Sequence, residues 1–294
     1  MDTLIKKFKD KGLKKIVNVY QFHYTNGKAN GLGDFLRGCL CLLQISTILG
    51  LEFDVDFENH PISKFLMEKK EKYNIKYNEI GWYQDNNFIE ITSESNKIFF
   101  KGAIGFLNNI NMYDKNIYTM FNSFPMNVKI SREHKNIMRE KLEPNDMMKN
   151  NIVLRLAKLN LTVKQYTVLH IRCGDEYLNS QGSIINQGYL NNIYSLINNI
   201  IDNNLKILLI SDNNALKILL KSKYPNLIVQ LKKITHLGCD NNSSDSDIMY
   251  TMLDFYMIRS ASKIIAITRY PQGAGFSKWC SVIYDVPYVS IIVN

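Results

Sequence analysis

From residue 166 onward the chain alternates short, continuously apolar segments with helical ones, and this alternation limits the fold more than any other feature. Residues 166–171 (YTVLHI), 205–210 (LKILLI), 227–231 (LIVQL), Lys263 to Ile267 and Tyr288 to Val293 read as strands. Helices are expected over 188–203, Asn213 to Lys221, Ser246 to Ser260 and from about Gly275. In the third of these, Ile248, Met249, Met252, Leu253, Tyr256 and Met257 recur at helical spacing. A strand that is apolar along its whole length is buried on both faces. The sheet is therefore expected to be parallel, with helices on either side.

The first half begins in the same way. Residues 16–22 (IVNVYQF) read as a strand, Asn26 to Gly33 as a glycine-rich turn, Phe35 to about Leu49 as a helix, and 51–57 (LEFDVDF) as the next strand. Residues 72–125 mix aromatic strand-like pieces with Asn-rich turns and yield no order. Residues 131–160 look helical with a break at Pro144 and join the halves. The 294 residues allow two domains. The expected fold class is α/β with two Rossmann-like, doubly wound domains, residues 1–155 and 156–294. In such sheets ligands bind beyond the carboxyl ends of the strands, so the residues just after each strand carry most of the interest.

Composition excludes several classes. With 46% hydrophobic and 21% charged residues the chain is globular. Lys plus Arg is 36 against 27 acids, a net charge of +9, which points to an anionic partner without naming it. The one dense run, Lys6, Lys7, Lys9, Lys11, Lys14 and Lys15, reads as a solvated helix face with no aromatic interleaving, so nucleic acid ranks last as a partner. The five cysteines (Cys39, Cys41, Cys173, Cys239 and Cys280) have neither disulfide-framework nor zinc spacing. They suit free thiols in a reducing, cytoplasmic compartment. The N-terminus lacks a secretory apolar core. The apolar stretch Phe35 to Leu51 contains Arg37, Gln44 and Gly50 and reads as a buried helix, so no membrane span is expected.

Four elements stand where a ligand would bind. His170-Ile171-Arg172-Cys173-Gly174-Asp175 closes a core strand. The Arg172 fork suits phosphate oxygens, Gly174 permits a sharp turn, and Asp175 could orient Arg172. A buried Arg172–Asp175 ion pair is the equally open alternative. Ser211-Asp212 follows the next strand and would either cap the helix at 213 or bond a base or ribose. Thr268 to Trp279 (TRYPQGAGFSKW) places Gly273 and Gly275 at a helix start, where backbone N–H groups bind anions, and Thr268 and Ser277 add hydroxyls. Asn30-Gly31-Leu32-Gly33-Asp34 with Arg37 is a partial dinucleotide fingerprint in which Asp34 is by default a helix cap. Asp54-Val55-Asp56 matches a D-x-D spacing but reads as an ordinary strand with its acids on one face, so no metal is expected.

H-x-R-x-G-D, the later S-D, and the late Thr–F-S–W loop, in this order, resemble the α1,2-, α1,6- and protein O-fucosyltransferase superfamily. The N-G-L-G-D start and Gly50 are similar to the opening of its α1,2 members, and Asp254 looks like that family's acid on the helix before the last loop. The pattern's second Arg is Cys173 here, its Asn is Asp34, and the late loop differs in sequence. The resemblance implies a GT-B fold, with two Rossmann-like domains facing a cleft. It further implies an inverting, metal-independent transfer of L-fucose from GDP-fucose, with no cofactor beyond this donor substrate, to a glycan acceptor of α1,2 type.

By the same resemblance residues 156–294 bind the GDP-sugar and the first domain takes the acceptor. Arg172 would contact the diphosphate, helped by His170, Gly174 and Asp175. Asp254 or Asp212, with Ser211, would hold guanine and ribose. Thr268, Gly275, Phe276 and Ser277 would touch the nucleotide. Asp34 is the candidate base for the acceptor hydroxyl. The alternatives are a glycosyltransferase using another nucleotide sugar, and a catalytically silent nucleotide-sugar or glycan-binding module.

Overall fold

The computed structural model describes residues 6, 10–21, 31–69, 71–77, 80, 82–83, 112–125, 129–174, 186–200, 205–238 and 243–293. The chain divides into two compact units, residues 1–143 and 144–294. The division falls at Pro144, ahead of the junction expected after residue 155.

The first unit contains β1 (Lys15–Val19), α1 (Leu32–Leu49), β2 (Glu52–Asp56), β3 (Trp82–Tyr83), β4 (Met112–Tyr113), β5 (Asn116–Phe121) and α2 (Arg132–Lys141). Its sheet runs β2-β1-β5-β3, with β1 parallel to both neighbours. β4 folds back antiparallel on β5 through Asp114 (φ 53) and Lys115 (φ 62). Two consecutive left-handed residues give the turn that matches strand twist. The unordered middle of the sequence thus supplies β3, β4 and β5, the last of which pairs directly with β1.

α1 starts at Leu32, one turn earlier than expected. It ends at Gly50, whose φ of 66 places it in the left-handed cap region. Asp34 does not cap it: the N-cap is Gly31, without a side-chain bond, and Asp34 lies inside the first turn. Among the described residues α1 alone is long and apolar enough to cross a membrane, and 83% of that window is buried inside the unit. The helix backbone presses on the end of β5, because a Cβ on Gly38 would sit 1.7 Å from the Phe121 carbonyl oxygen. Asn18 of β1 completes this corner. Its Oδ1 accepts from Phe121 N at 2.9 Å and its Nδ2 donates to Phe121 O at 3.1 Å.

Asp54 and Asp56 do share a face of β2, but that face is interior. Lys141 and Lys69 approach Asp54 at 3.0 and 3.1 Å, Tyr73 donates to it, and Tyr77 donates to Asp56 at 2.9 Å. Burial pushes the Asp54 carboxyl up, and the two lysines with Tyr73 outweigh it and hold it below the usual range. The D-x-D is a buried ion network in which both carboxylates are already engaged.

The second unit contains α3 (Asp146–Lys158), β6 (Thr167–Arg172), α4 (Gln187–Ile200), β7 (Ile207–Ser211), α5 (Asn214–Lys223), β8 (Ile228–Val229), α6 (Asp245–Arg259), β9 (Lys263–Thr268), α7 (Gly275–Tyr284) and β10 (Tyr288–Ile292). All its strand pairs are parallel, in the order β10-β9-β6-β7-β8. Numbered within the unit this is 5-4-1-2-3, the Rossmann order. The strand sequence reverses direction between β6 and β9, which makes their carboxyl ends the topological switch point. Leu169, Ile171, Ile207 and Leu209 pack on one face against Ile193 and Ile197 of α4 and Leu216 and Leu220 of α5. Asn213 caps α5 and Ser244 forms a capping box with Asp247 on α6.

Gly38→Ala should destabilise the protein by about 1–3 kcal/mol or more, since the added methyl has no room against backbone. Gly50→Ala, where space is open and the positive φ is the sole obstacle, should cost about 1 kcal/mol. Chemical denaturation of the two variants checks the order.

Candidate functional site

The switch point is built by one carboxylate. Asp212, just past β7, accepts Cys173 N at 2.7 Å and Gly174 N at 3.2 Å, and it pairs with the Arg172 guanidinium. The turn out of β6 is thereby fixed, with Gly174 at φ 133, a backbone conformation that favours glycine. Arg172 lies opposite Thr268 in the β6–β9 register, and its guanidinium stands 5.9 Å from the Tyr270 ring centre. The ion pair left open by the sequence therefore forms with Asp212, forty positions away, whereas Asp175 lies outside the described residues. Neither Ser211 nor Asp212 caps α5. Asn213 does so, bonding Leu216 N at 2.9 Å, while the Ser211 hydroxyl accepts Asn213 N at 3.3 Å.

Beneath Arg172 the His170 ring is buried, and its Nδ1 lies 2.7 Å from Ser277 Oγ. Burial pushes the His170 pKa down to about 4, so the imidazole is neutral at pH 7. Ser277 also donates to Ala274 O at 3.3 Å, and Phe276 packs 6.2 Å from the His170 ring. These contacts fix the start of α7. Its N-cap, Ala274, offers no side-chain acceptor, so the amides of the first turn have no capping side chain. The preceding loop turns through Gly273 N to Tyr270 O at 2.9 Å, and Gly273 has φ 88. Thr268 is wholly buried, and its hydroxyl accepts Tyr270 N at 3.1 Å. A helix start of this kind, beside a fixed guanidinium, favours a phosphate-like anion.

Asp254 is held differently from the rest. Lys232 lies 2.7 Å and Arg155 3.4 Å from its carboxylate, and buried Lys217 adds a third cation nearby. Burial pushes the Asp254 carboxyl up, and Lys232, Lys217 and Arg155 together hold it below its ordinary range. Burial in turn pulls the Lys232 pKa down to about 8. The three cations went unnoticed in the sequence. A signal was present for one of them: Arg155 lies two turns after Met148, and these two are the buried residues of α3.

Asp34, in the first unit, is half-exposed and pairs with Arg37 at 3.2 Å. Arg37 is buried and its guanidinium lies 4.2 Å from the Phe124 ring centre. Among the described residues no three His, Cys, Asp or Glu side chains are grouped to hold a metal ion.

No protein-family model matches the sequence, and no curated protein matches it in sequence. The fold does find counterparts. NodZ α-1,6-fucosyltransferase, from a crystal soaked with GDP-fucose, superposes with a TM-score of 0.56 at 10% identity, covering 92% of each chain. Fucosyltransferase NodZ from Bradyrhizobium gives 0.53 at 11% identity, over 91% of this chain and 92% of the other. A single-residue mutant of Arabidopsis thaliana FUT1 in complex with GDP gives 0.50 at 10% identity, over 99% of this chain and 73% of the other. The likeness is one of fold: the chain has the two-unit, parallel α/β architecture of the GT-B glycosyltransferases.

Asp254→Asn should leave three cations around a neutral amide and destabilise the protein by about 3–5 kcal/mol. Unfolding midpoints in denaturant measure this. A change under about 1 kcal/mol would show that the cations do not depend on Asp254.

Proposed function

We propose that the protein is a glycosyltransferase that moves L-fucose from GDP-fucose to a hydroxyl of a glycan. The observation that carries this reading is the placement of Arg172 at the β6–β9 switch point, beside a helix start without a capping side chain. The fold shared with a fucosyltransferase soaked with GDP-fucose supports the donor. In this reading the diphosphate lies over the Gly174 turn.

The chemistry follows from charge. Breaking the bond between fucose C1 and the β-phosphate oxygen leaves an oxocarbenium-like sugar, and the bonding pair departs on the phosphate. Arg172, held by Asp212 and Tyr270, and the first amides of α7 are oriented before that charge develops. A donor aimed at such a leaving group is worth about 3–4 kcal/mol. Asp212 and His170 are positioning residues: the first sets the Arg172 turn, and the second sets Ser277 and the α7 start. Asp254 stabilises the unit from within its cation cluster, and no direct contact with the base is assigned to it.

The finer assignment is an inverting, metal-independent transfer of α1,2 type with Asp34 as the base that takes the acceptor proton. Its half-exposed carboxylate, steadied by Arg37 at the start of α1, supports that role. The reaction is placed in the cytoplasm, which suits the free thiols of Cys39, Cys41, Cys173 and Cys280.

Calorimetry with GDP and GDP-fucose should show binding that Arg172→Ala weakens about tenfold or more. Absence of binding by the wild-type protein would end the donor assignment. With labelled GDP-fucose and a panel of galactosides, GlcNAc-terminated glycans, rhamnosides and peptides, Asp34→Asn should lower transfer by about a hundredfold while GDP affinity stays constant. Transfer at the wild-type rate would remove Asp34 as the base.

A further inference from the structure

The edge of a sheet exposes a row of backbone N–H and C=O groups that can pair with another extended chain, and proteins guard such edges with charge or shortness. Among the described residues β2 carries Glu52, Asp54 and Asp56, and β3, β4 and β8 are two residues each. β10 has neither guard. It runs five residues, pairs on one side with β9, and lies in a stretch, Val286 to Val293, that holds no charged side chain. Val289 and Ile292 are 45% and 50% exposed, and Ser290 is exposed between them.

The register fixes which groups face outward. Ile264 N donates to Pro287 O at 2.8 Å, and Val293 N donates to Thr268 O at 2.9 Å. Ladder bonds alternate along a strand, so residues 287, 289, 291 and 293 direct their backbone at β9, and Tyr288, Ser290 and Ile292 direct theirs outward. Pro287 therefore spends its missing N–H on the β9 side and does not blunt the free edge. The side chains alternate as well: Ile291 and Val293 join the core under α4 and α5, while Tyr288 and Ser290 lie beside Gly273 on the other face.

We propose that β10 is a dimer edge and that its occupant is β10 of a second copy, antiparallel about a two-fold axis at Ser290. Such an occupant is extended and uncharged, so nothing on either strand repels the other although the chain as a whole carries +9. With Ser290 opposite its own counterpart, Tyr288 falls opposite Ile292, and every outward residue forms a pair that exchanges both N–H···O bonds. Val289 falls opposite Ile291 on the other face, so both exposed apolar side chains gain a cross-strand neighbour. A two-fold contact of this kind uses one patch twice and closes at two copies. A single strand pair covers less than the roughly 1,200 Å² of a standard interface, so the dimer is expected to dissociate on dilution.

Analytical ultracentrifugation of the full chain from about 1 to 200 μM should show a monomer–dimer equilibrium with no larger species. Ser290→Pro removes an N–H that faces outward and leaves the β9 ladder intact. It should weaken the dimer about tenfold or more, and so should Ile292→Lys, which adds the missing edge charge. Across the axis the two Ser290 Cα atoms would stand about 5.5 Å apart, within disulfide reach. Mild oxidation of Ser290→Cys should therefore link two chains, whereas Ile292→Cys, which meets residue 288 of the other copy, should not link. A chain that stays monomeric throughout the range overturns the proposal. So does a dimer that both edge variants leave unchanged, an open series of larger species, or equal linking at 290 and 292. Where Ser290→Pro or Ile292→Lys melts below wild type, the contrast between the two cysteine variants decides.

Discussion

The Asp212 carboxylate is the interaction on which the ligand-facing edge of the second unit depends. It accepts two consecutive backbone N–H groups after β6 and one guanidinium from the same turn. Without it the Cys173 and Gly174 amides would be buried donors lacking this acceptor, each costing about 1–3 kcal/mol. The glycine at φ 133 is what lets the chain bend toward the carboxylate. The turn in turn directs Cys173 into the core and Arg172 along the lip, so one side chain just past β7 decides what β6 offers a ligand. This is a local specification made by a distant residue, and it explains why the pair joins neighbouring strands rather than neighbouring positions in sequence.

The same distinction separates what was legible in the sequence from what was not. The strands and helices of the second unit were legible because each is a short periodic pattern. β6, β7, β9 and β10 fall within two residues of their expected bounds. The strand ends were therefore legible too, and with them Arg172, Thr268 and the α7 start. The first unit was legible through β2 and again at α2, but not between them. Its pairing of β1 with β5 joins segments about a hundred residues apart, and no local pattern encodes a partner. Residues 22–30 and 175–185, which include most of the glycine turn and Asp175, lie outside the described residues.

Where the sequence reading missed, it did so on polar side chains whose partners are tertiary. Asp34, Ser211 and Asp212 each stand at a position where a local cap is the simplest use. Instead Gly31 and Asn213 hold the cap positions, and the acids bind arginines. Asp54 and Asp56 were legible as acids sharing one face of a strand, but strand alternation specifies which residues share a face, not which face is inside. The lysines that meet Asp54 on that interior face, Lys69 and Lys141, come from a loop and from α2. Asp254 repeats the lesson with Arg155, Lys217 and Lys232, each from a separate segment.

These pairings also revise the meaning of the net charge. The buried carboxylates Asp54 and Asp254 are each met by more than one cation, so Lys69, Lys141, Arg155, Lys217 and Lys232 serve the interior and are not free to draw an anion. What is left of the +9 is spread over solvated side chains, where salt screens interactions beyond about 8–10 Å. Such charge can speed the approach of an anionic ligand but cannot choose among ligands. Selection has to come from donors fixed in direction at short range, and the sheet concentrates these at one place. The amides opening α7 and the Arg172 fork are both anchored to buried neighbours: the first through Ser277 and His170, the second through Asp212. Because each anchor is itself inside the unit, the orientation of these donors is set by the same packing that stabilises the sheet. A ligand that fits them finds the geometry already formed and spends little of its binding energy on ordering the protein.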